Sequence, residues 1–248
     1  MIILKSPQEI ERMRAAGRLT ALAIAELKKV IAPGITTGEL DAVAEKFIRD
    51  HGGIPTFKGY QGFPASICTS INNEVVHGIP GLRKVKTGDI VSIDIGVTYE
   101  GYVGDSAFTV PVGDVSLNVL QLLRTTEEAL YKGIAQAQVG GRVTDIGHAV
   151  ESHVNQAGFS VVRDYVGHGI GTQMHEDPPV PNFGPPGRGP RLQEGMVLAI
   201  EPMVNVGSYR VQVLPNGWTV VTADGSLSAH FEHTVAITAA GPEILTRV

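Results

Sequence analysis

The chain has 248 residues, of which 43% are hydrophobic and 18% are charged, and its formal net charge is −5. This composition allows a sizeable core, and no run of Lys/Arg suggests a nucleic-acid or membrane surface. A single cysteine, Cys68, excludes an internal disulfide and a CxxC zinc ribbon. The start resembles no signal peptide, and 18 apolar residues never run together. We therefore expect a cytoplasmic globular protein.

Four helices are predicted in two pairs, residues 20–34 with 39–52 and residues 126–140 with 146–158. In each pair a glycine-containing turn joins the helices, and a glycine follows the second helix. Six identities recur at an offset of 106 between the two halves: Arg18, Thr20, Ala23, Gly34, Glu45 and Gly52 match Arg124, Thr126, Ala129, Gly140, Glu151 and Gly158. An internal repeat of this length predicts two related halves.

Between the helix pairs, residues 90–110 read IVSIDIGVTYEGYVGDSAFTV and predict two strands joined at Glu100-Gly101. In that register Asp94 and Asp105 project from the same face, with Cβ atoms about 5–8 Å apart. Two carboxylates this close repel each other unless one carries a proton, a basic residue pairs with both, or a cation binds. The strand neighbours contain no basic residue, which disfavours the second possibility.

The second half supplies matching carboxylates. TGDIVSIDIG aligns with EGMVLAIEPM, which places Glu201 at the position of Asp94, and GDSAFTV resembles FEHTVAI, which places Glu232 at the position of Asp105. Four carboxylates converging inside a sheet favour a pair of divalent ions. The alternative is that the strands lie at the surface and the carboxylates face solvent.

The connecting segments are rich in glycine and proline. Residues 53–88 and 159–195 are predicted to be long loops, since PPVPNFGPPGRGP is too dense in proline for a helix or central strand. Near the C-terminus, LPNGW and TADGS predict the turns of a β-meander that continues through Ala236. We expect one α+β domain, because no linker separates the halves.

Three histidines lie in these connecting segments: His77 in VVHGIP, His168 in YVGHGIG and His175 in GTQMHEDPP. A ligand set that mixes histidine with carboxylates suits Mn, Fe, Co or Zn better than Ca. Other chemistries find little support, because the sequence has no GxSxG elbow, HExxH helix or GxxxxGK[ST] loop. Cys68 has no identifiable base and is interpreted as a small buried hydrophobe.

The five candidate ligands Asp94, Asp105, His168, Glu201 and Glu232, in SIDIG, VGDSA, GHGIG, IEPM and FEHT, resemble the ligand set of type I methionine aminopeptidases. The resemblance covers nearly the whole chain and implies the pita-bread fold, whose two halves hold two metal ions. It implies that Asp105 and Glu232 bridge both ions, that Asp94 completes one site, and that His168 with Glu201 completes the other. The length implies the short form, without the zinc-binding N-terminal extension of some members.

The resemblance also implies catalytic roles. Glu201 would shuttle the proton of an activated water, His175 would steady the tetrahedral oxyanion, and His77 would contact the scissile amide. The methionine side chain would enter a pocket formed by Tyr60, Phe63, Cys68 and Trp218. Met174 and Gln61 depart from the family pattern, as does Phe63 within that pocket, and these departures bear on side-chain preference.

Residues 1–248 are therefore expected to form one catalytic domain, with halves at about 1–115 and 116–248. The expected activity is metal-dependent removal of the initiator methionine from nascent chains, with a small penultimate residue preferred. The cofactors would be two divalent ions, Co, Mn, Fe or Zn. A monomer with transient ribosome association, and without membrane or nucleic-acid partners, is expected. Two alternatives are another pita-bread amidohydrolase or aminopeptidase and an inactive binding module, both disfavoured by the complete ligand set.

Overall fold

The structure is a computed structural model that describes all residues from Met1 to Val248. Its four α-helices form two consecutive pairs, as the repeat predicts: α1 Pro7–Val30, α2 Thr37–Asp50, α3 Leu117–Ala135 and α4 Val143–Gln156. A 3-10 turn spans Tyr60–Gly62. No helix combines the length and apolar character that a membrane crossing requires.

Both helices of the first pair begin at capping boxes. The hydroxyl of Ser6 accepts the backbone N–H of Glu9 at 3.3 Å, and the Glu9 carboxylate accepts the backbone N–H of Ser6 at 2.8 Å. Thr36 and Glu39 repeat this exchange at 3.1 and 2.7 Å. Each cap satisfies N–H groups that the first helical turn leaves without partners, and typically stabilises a helix by about 1 kcal/mol. These caps determine where α1 and α2 begin, which the sequence pattern did not locate.

The strands, in chain order, are β1 Ile54–Pro55, β2 Cys68–Ile71, β3 Glu74–Val76, β4 Ile90–Tyr99, β5 Tyr102–Pro111, β6 Ser160–Val161, β7 Gly167–Gly169, β8 Glu176–Val180, β9 Val197–Ile200, β10 Met203–Asn205, β11 Val211–Val213, β12 Val220–Thr222, β13 Ser228–His230, β14 Glu232–Thr238 and β15 Gly241–Ile244. Nine of them form one sheet in the order β1-β4-β5-β14-β9-β7-β8, with β2 on β4 and β15 on β14. Its strand pairs are antiparallel. Two three-stranded sheets, β13-β10-β6 and β11-β12-β3, flank it.

The central hairpin β4–β5 has the predicted register. Asp94 pairs with Ala107, and the turn residues Glu100 and Gly101 both have positive φ, at 50° and 82°. This conformation matches the tight hairpin turn that follows the right-handed twist of the strands. Ile93 and Ile95, which alternate with Asp94, are fully buried in the largest hydrophobic cluster. One face of the hairpin therefore packs on the core, and the opposite face carries the carboxylates Asp94 and Asp105.

The two halves of the large sheet meet at a short junction. Strand β5 of the first half and β14 of the second half pair only through Glu232 with Ala107 and His233 with Ser106. Thr234 extends the contact with its side chain, which accepts the backbone N–H of Asp105 at 3.0 Å and donates to its carbonyl at 2.8 Å. The junction thus brings one carboxylate from each half to adjacent strands.

The structure corrects two predictions about the connecting segments. Residues 53–88 and 159–195 are not loops throughout, because they contain six short strands. One of these, β8, includes Pro178 and Pro179, which a strand tolerates there because β8 lies at the edge of the sheet. The predicted C-terminal β-meander is also wrong: β11 and β12 join β3, whereas β13 joins β10. Local turn signals do not determine which sheet a short strand enters.

Candidate metal centre and substrate pocket

A cavity of about 140 Å³ lies where the two halves meet. All eleven site residues predicted from the sequence line it, together with Gln61 and Met174, which also depart from the family pattern, and one further residue, Phe57. The eleven are Tyr60, Phe63, Cys68, His77, Asp94, Asp105, His168, His175, Glu201, Trp218 and Glu232. They come from several strands and loops, so the cavity exists only in the assembled sheet.

Four carboxylates form the polar end of the cavity. Asp94, Asp105 and Glu232 lie within β4, β5 and β14, and Glu201 directly follows β9. Asp105 and Glu232 are only 2% and 1% exposed, and one oxygen of each, with one of Asp94, is buried without a hydrogen-bond partner. The ion pairs of this group involve histidines alone, so no lysine or arginine neutralises it. Buried oxygens without partners are what a cation site requires.

Burial and mutual repulsion raise the pKa values of these groups. Removal from water raises the pKa of Asp94 to about 7. Removal from water is also the largest cause of the raised pKa values of Asp105, Glu201 and Glu232, and neighbouring carboxylates raise each of them further. The cluster therefore retains protons unless positive charge is supplied. Divalent ions would supply that charge and would fit the donor set.

His168 lies in β7 and completes this group. Its Nδ1–H donates to the carbonyl of Gly169 at 2.9 Å, which leaves the Nε2 lone pair directed at the carboxylates. Nε2 is 3.5 Å from Oε1 of Glu201 and 3.8 Å from Oδ2 of Asp105. Burial lowers the pKa of His168 to about 4, so the ring is neutral near pH 7. A neutral imidazole held by a backbone acceptor is the form in which histidine binds metals.

A three-residue subset has the spacing of a metal site. Single ligand atoms from Asp105, His168 and Glu232 all lie within 4.8 Å of one another. All three residues are buried, so the group is not a chance cluster of surface acids. Asp94 and Glu201 border the same space and keep partial exposure toward the cavity. The arrangement can hold divalent metal with oxygen and nitrogen donors.

Two further histidines lie at the rim. His175 accepts from or donates to the Tyr60 hydroxyl through Nδ1 at 2.8 Å, and its ring centroid lies 4.3 Å from that of His168. His77 lies beside Trp218, with ring centroids 6.4 Å apart. Burial lowers the pKa values of both His77 and His175, so both rings are neutral near pH 7. Neutral rings can act as hydrogen-bond donors or acceptors without adding charge.

The opposite end of the cavity is apolar. Phe63 and Trp218 make an edge-to-face contact with ring centroids 5.1 Å apart, and Cys68 and Met174 are 4% and 6% exposed. Burial raises the pKa of the Cys68 thiol, so it is not a thiolate nucleophile near neutral pH. Phe57 completes the wall. Such a surface suits an apolar, sulfur-containing side chain, since thioethers make favourable contacts with aromatic rings.

Three residues near the site were missed in the sequence. Nε2 of His230 is buried without a partner, 3.7 Å from Oε2 of Glu201. His230 precedes Glu232 by two residues, a spacing that would have suggested a shared face if the strand were continuous, although the structure places them in β13 and β14. Phe57 and Tyr165, which lies with its ring centroid 5.6 Å from that of His77, come from connecting segments without a usable pattern.

A cluster of carboxylates and histidine beside an apolar pocket defines a metal-dependent hydrolase site. The model of metallopeptidase family M24 matches residues 11–239, and the chain belongs to this family. Methionine aminopeptidase 1 of Bacillus subtilis is 59% identical over 248 residues, which is 100% of both chains. The methionine aminopeptidase of Clostridium perfringens has the same identity and coverage.

Solved structures agree. The methionine aminopeptidase of Rickettsia prowazekii superposes with a TM-score of 0.98 at 43% identity, over 99% of this chain and 100% of that one. The methionine aminopeptidase of Thermotoga maritima gives 0.98 at 48% identity over 100% of both chains. The prolidase of Pyrococcus horikoshii, at 22% identity and a TM-score of 0.79, covers 100% of this chain and 64% of its own, and shares the fold. The predicted pita-bread fold is confirmed.

Proposed function

We propose that this protein removes the initiator methionine from nascent proteins and peptides as a metal-dependent aminopeptidase. The observation that carries this proposal is the placement of four carboxylates, two of them buried, and of buried His168 at one end of a cavity whose other end is apolar. Likeness to methionine aminopeptidases over the full chain supports the same activity.

The ligands would be the five residues around the unpartnered oxygens. Asp94, Asp105, His168, Glu201 and Glu232 would together hold two divalent ions. Co, Mn, Fe and Zn suit a mixed nitrogen and oxygen donor set. When bound, such ions polarise the scissile carbonyl and lower the pKa of water so that it becomes a nucleophile near neutral pH. The substrate is also recognised through its free α-amine, so a peptide with an acetylated N-terminus is not cleaved.

Glu201 is the proton carrier in this proposal. Its side chain is 14% exposed, more than those of its buried neighbours, and it borders the cavity. Without metal, burial raises the pKa of Glu201; once ionised, its carboxylate can accept a proton at the cavity. It takes a proton from the attacking water and delivers it to the departing amine.

His175 and His77 act on the peptide bond itself. Since His175 is neutral, a Tyr60 hydroxyl that donates to Nδ1 leaves the proton on Nε2, which can donate to the developing oxyanion. His77 lies on the side of Trp218 and contacts the scissile amide. Because both rings approach the second residue of the substrate, a small residue is preferred there.

The apolar wall selects the first residue. Tyr60, Phe63, Cys68 and Trp218 surround the methionine side chain, and aromatic edges favour its thioether. Met174 is buried in the same wall. We further propose that residues 1–248 act as one catalytic unit on nascent chains in the cytoplasm, as a monomer with transient access to the ribosome.

The test measures methionine release from Met-Gly- and Leu-Gly-leading peptides by mass spectrometry, with Co, Mn or Fe added after chelation. We expect metal-dependent release from the Met-Gly peptide, little release from its Leu-Gly or acetylated counterparts, and a loss of at least ~100-fold in kcat for Glu201→Gln, as for removal of a catalytic proton carrier. The exposed Glu194→Gln is the matched control. Release that needs no metal, or that survives Glu201→Gln unchanged, would refute the proposal.

A further inference from the structure

A buried ion pair lies directly behind the loop that carries His175. Nζ of Lys5 is 2.5 Å from Oε2 of Glu176, and their side chains are only 3% and 5% exposed. Nζ of Lys5 also donates to the carbonyl of Ile3 at 3.2 Å. Neither charged group has another ion-pair partner within 4.0 Å. Two charges withdrawn from water this completely depend on each other, because loss of either leaves the other uncompensated.

Glu176 uses its second oxygen to hold the loop. Oε1 accepts the backbone N–H of Gln173 at 3.3 Å, and the carbonyl of Gln173 accepts the N–H of Gly171 at 3.1 Å. A Cβ at Gly171 would lie 2.5 Å from Oε1 of Glu176 and 2.6 Å from Cε of Lys5. The ion pair is therefore packed against the loop backbone with no room for another atom.

Lys5 is itself held on the far side. Its backbone N–H donates to the carbonyl of Gly195 at 2.7 Å, and a Cβ at Gly195 would lie 2.8 Å from the carbonyl oxygen of Lys5. The backbone that carries the Lys5 ammonium group is thus held in place. From there, Lys5 contacts Glu176, and Glu176 contacts Gln173. Because His175 directly precedes Glu176 in the chain, the Lys5–Glu176 ion pair holds the backbone next to His175.

We propose that Lys5 is a positioning residue for His175, acting through Glu176. The ion pair fixes the backbone of residues 171–176 and thereby holds the His175 ring against Tyr60 and the cavity. This inference rests on the proposed function, in which His175 donates to the oxyanion. That contact develops only in the transition state, so loosening the anchor lowers kcat and leaves KM nearly unchanged.

The test is a double-mutant cycle on peptide hydrolysis. Lys5→Met leaves the Glu176 charge buried and unpaired, so the variant Lys5→Met/Glu176→Gln, which removes both charges together, is measured beside it. Each is compared in the native background and in the His175→Ala background. Lys46→Met is the matched control, because this lysine forms an ion pair on α2 with its side chain 77% exposed.

We expect the double variant to melt closer to the native protein than Lys5→Met does, yet to lose at least ~10-fold in kcat with KM changed less than ~3-fold. In the His175→Ala background the same change should cost less than ~2-fold, because the group being positioned is gone. Binding of Mn²⁺, followed by calorimetry, should stay at the native affinity.

An equal loss in both backgrounds, a loss expressed in KM, or no loss at all would overturn the inference and leave the proposed function intact. Native turnover in His175→Ala would instead remove the role of His175, and with it both the proposed oxyanion contact and this inference.

Discussion

Metal-free protein is expected to lose stability as pH rises from about 6.5 toward the raised pKa values of the carboxylate cluster, because the folded state keeps protons there that the unfolded chain has already released. Burial raises the pKa of Asp94 to about 7 and raises those of Asp105, Glu201 and Glu232 as well. An acid with a raised pKa binds a proton in the folded state that the unfolded chain has already released. Its stabilising contribution is therefore present at low pH and is lost as pH rises through the folded pKa. The buried His168, with its pKa lowered to about 4, is neutral in the folded state across this window.

The size of the effect follows from proton linkage. One extra proton bound by the folded state changes the free energy of unfolding by about 1.4 kcal/mol per pH unit. Across 1.5 pH units, roughly 2 kcal/mol is lost for each carboxyl group that keeps its proton throughout. At about 2–4 °C per kcal/mol for a chain of this size, each group that keeps its proton over such an interval lowers the melting temperature by roughly 4–8 °C. Bound metal keeps the carboxylates ionised, so the loaded protein lacks this slope.

The assay is differential scanning fluorimetry of chelator-treated and Mn²⁺-loaded protein over this pH range. Asp105→Asn removes one buried titrating group and should flatten the metal-free slope, whereas Asp114→Asn, at an exposed position, should leave it unchanged. A metal-free melting temperature that stays constant or rises with pH would refute the reasoning. So would a melting temperature that does not respond to metal.

Three further changes test the packing and the pocket. Gly104→Ala places a Cβ 2.7 Å from the backbone of Gly17 and should cost about 1–3 kcal/mol in urea unfolding, whereas Gly81→Ala, in open space, should cost much less. Trp218→Ala should raise KM for a Met-leading peptide, because the aromatic wall is lost; an unchanged KM would contradict its assignment to the pocket. Ser6→Ala should lose about 1 kcal/mol with the cap of α1, as measured by the same urea unfolding.

The hairpin shows why much of the site was predictable from the sequence. Period-two alternation and a two-residue turn fix the register of β4 and β5, and therefore place Asp94 and Asp105 on one face before any tertiary contact is known. The repeat then extends that placement to Glu201 and Glu232. The structure places all four carboxylates around one cavity, since each placement rests on local geometry or on copying it.

The Lys5–Glu176 pair shows what the sequence could not reveal. Its members are 171 positions apart, and neither belongs to a periodic segment that would direct it toward the other. The wrong β-meander has the same origin, since β11 and β12 are completed by β3 from the first half of the chain. Phe57 joins the pocket wall through the same kind of long-range folding. Such contacts depend on the assembled sheet, which local periodicity does not encode.

The short junction between β5 and β14 has a consequence for local dynamics. Only two residue pairs form the backbone ladder between β5 and β14, and Asp105 and Glu232 lie at or beside them, 127 positions apart in sequence. An ion shared by these two carboxylates would act as a removable cross-link at a narrow seam, and its binding energy would oppose opening of that seam first. Amide hydrogen exchange at residues 105–107 and 232–234 should then slow strongly with metal, while the helices respond less. The ion would thus hold together β5 and β14, the two strands that supply these carboxylates.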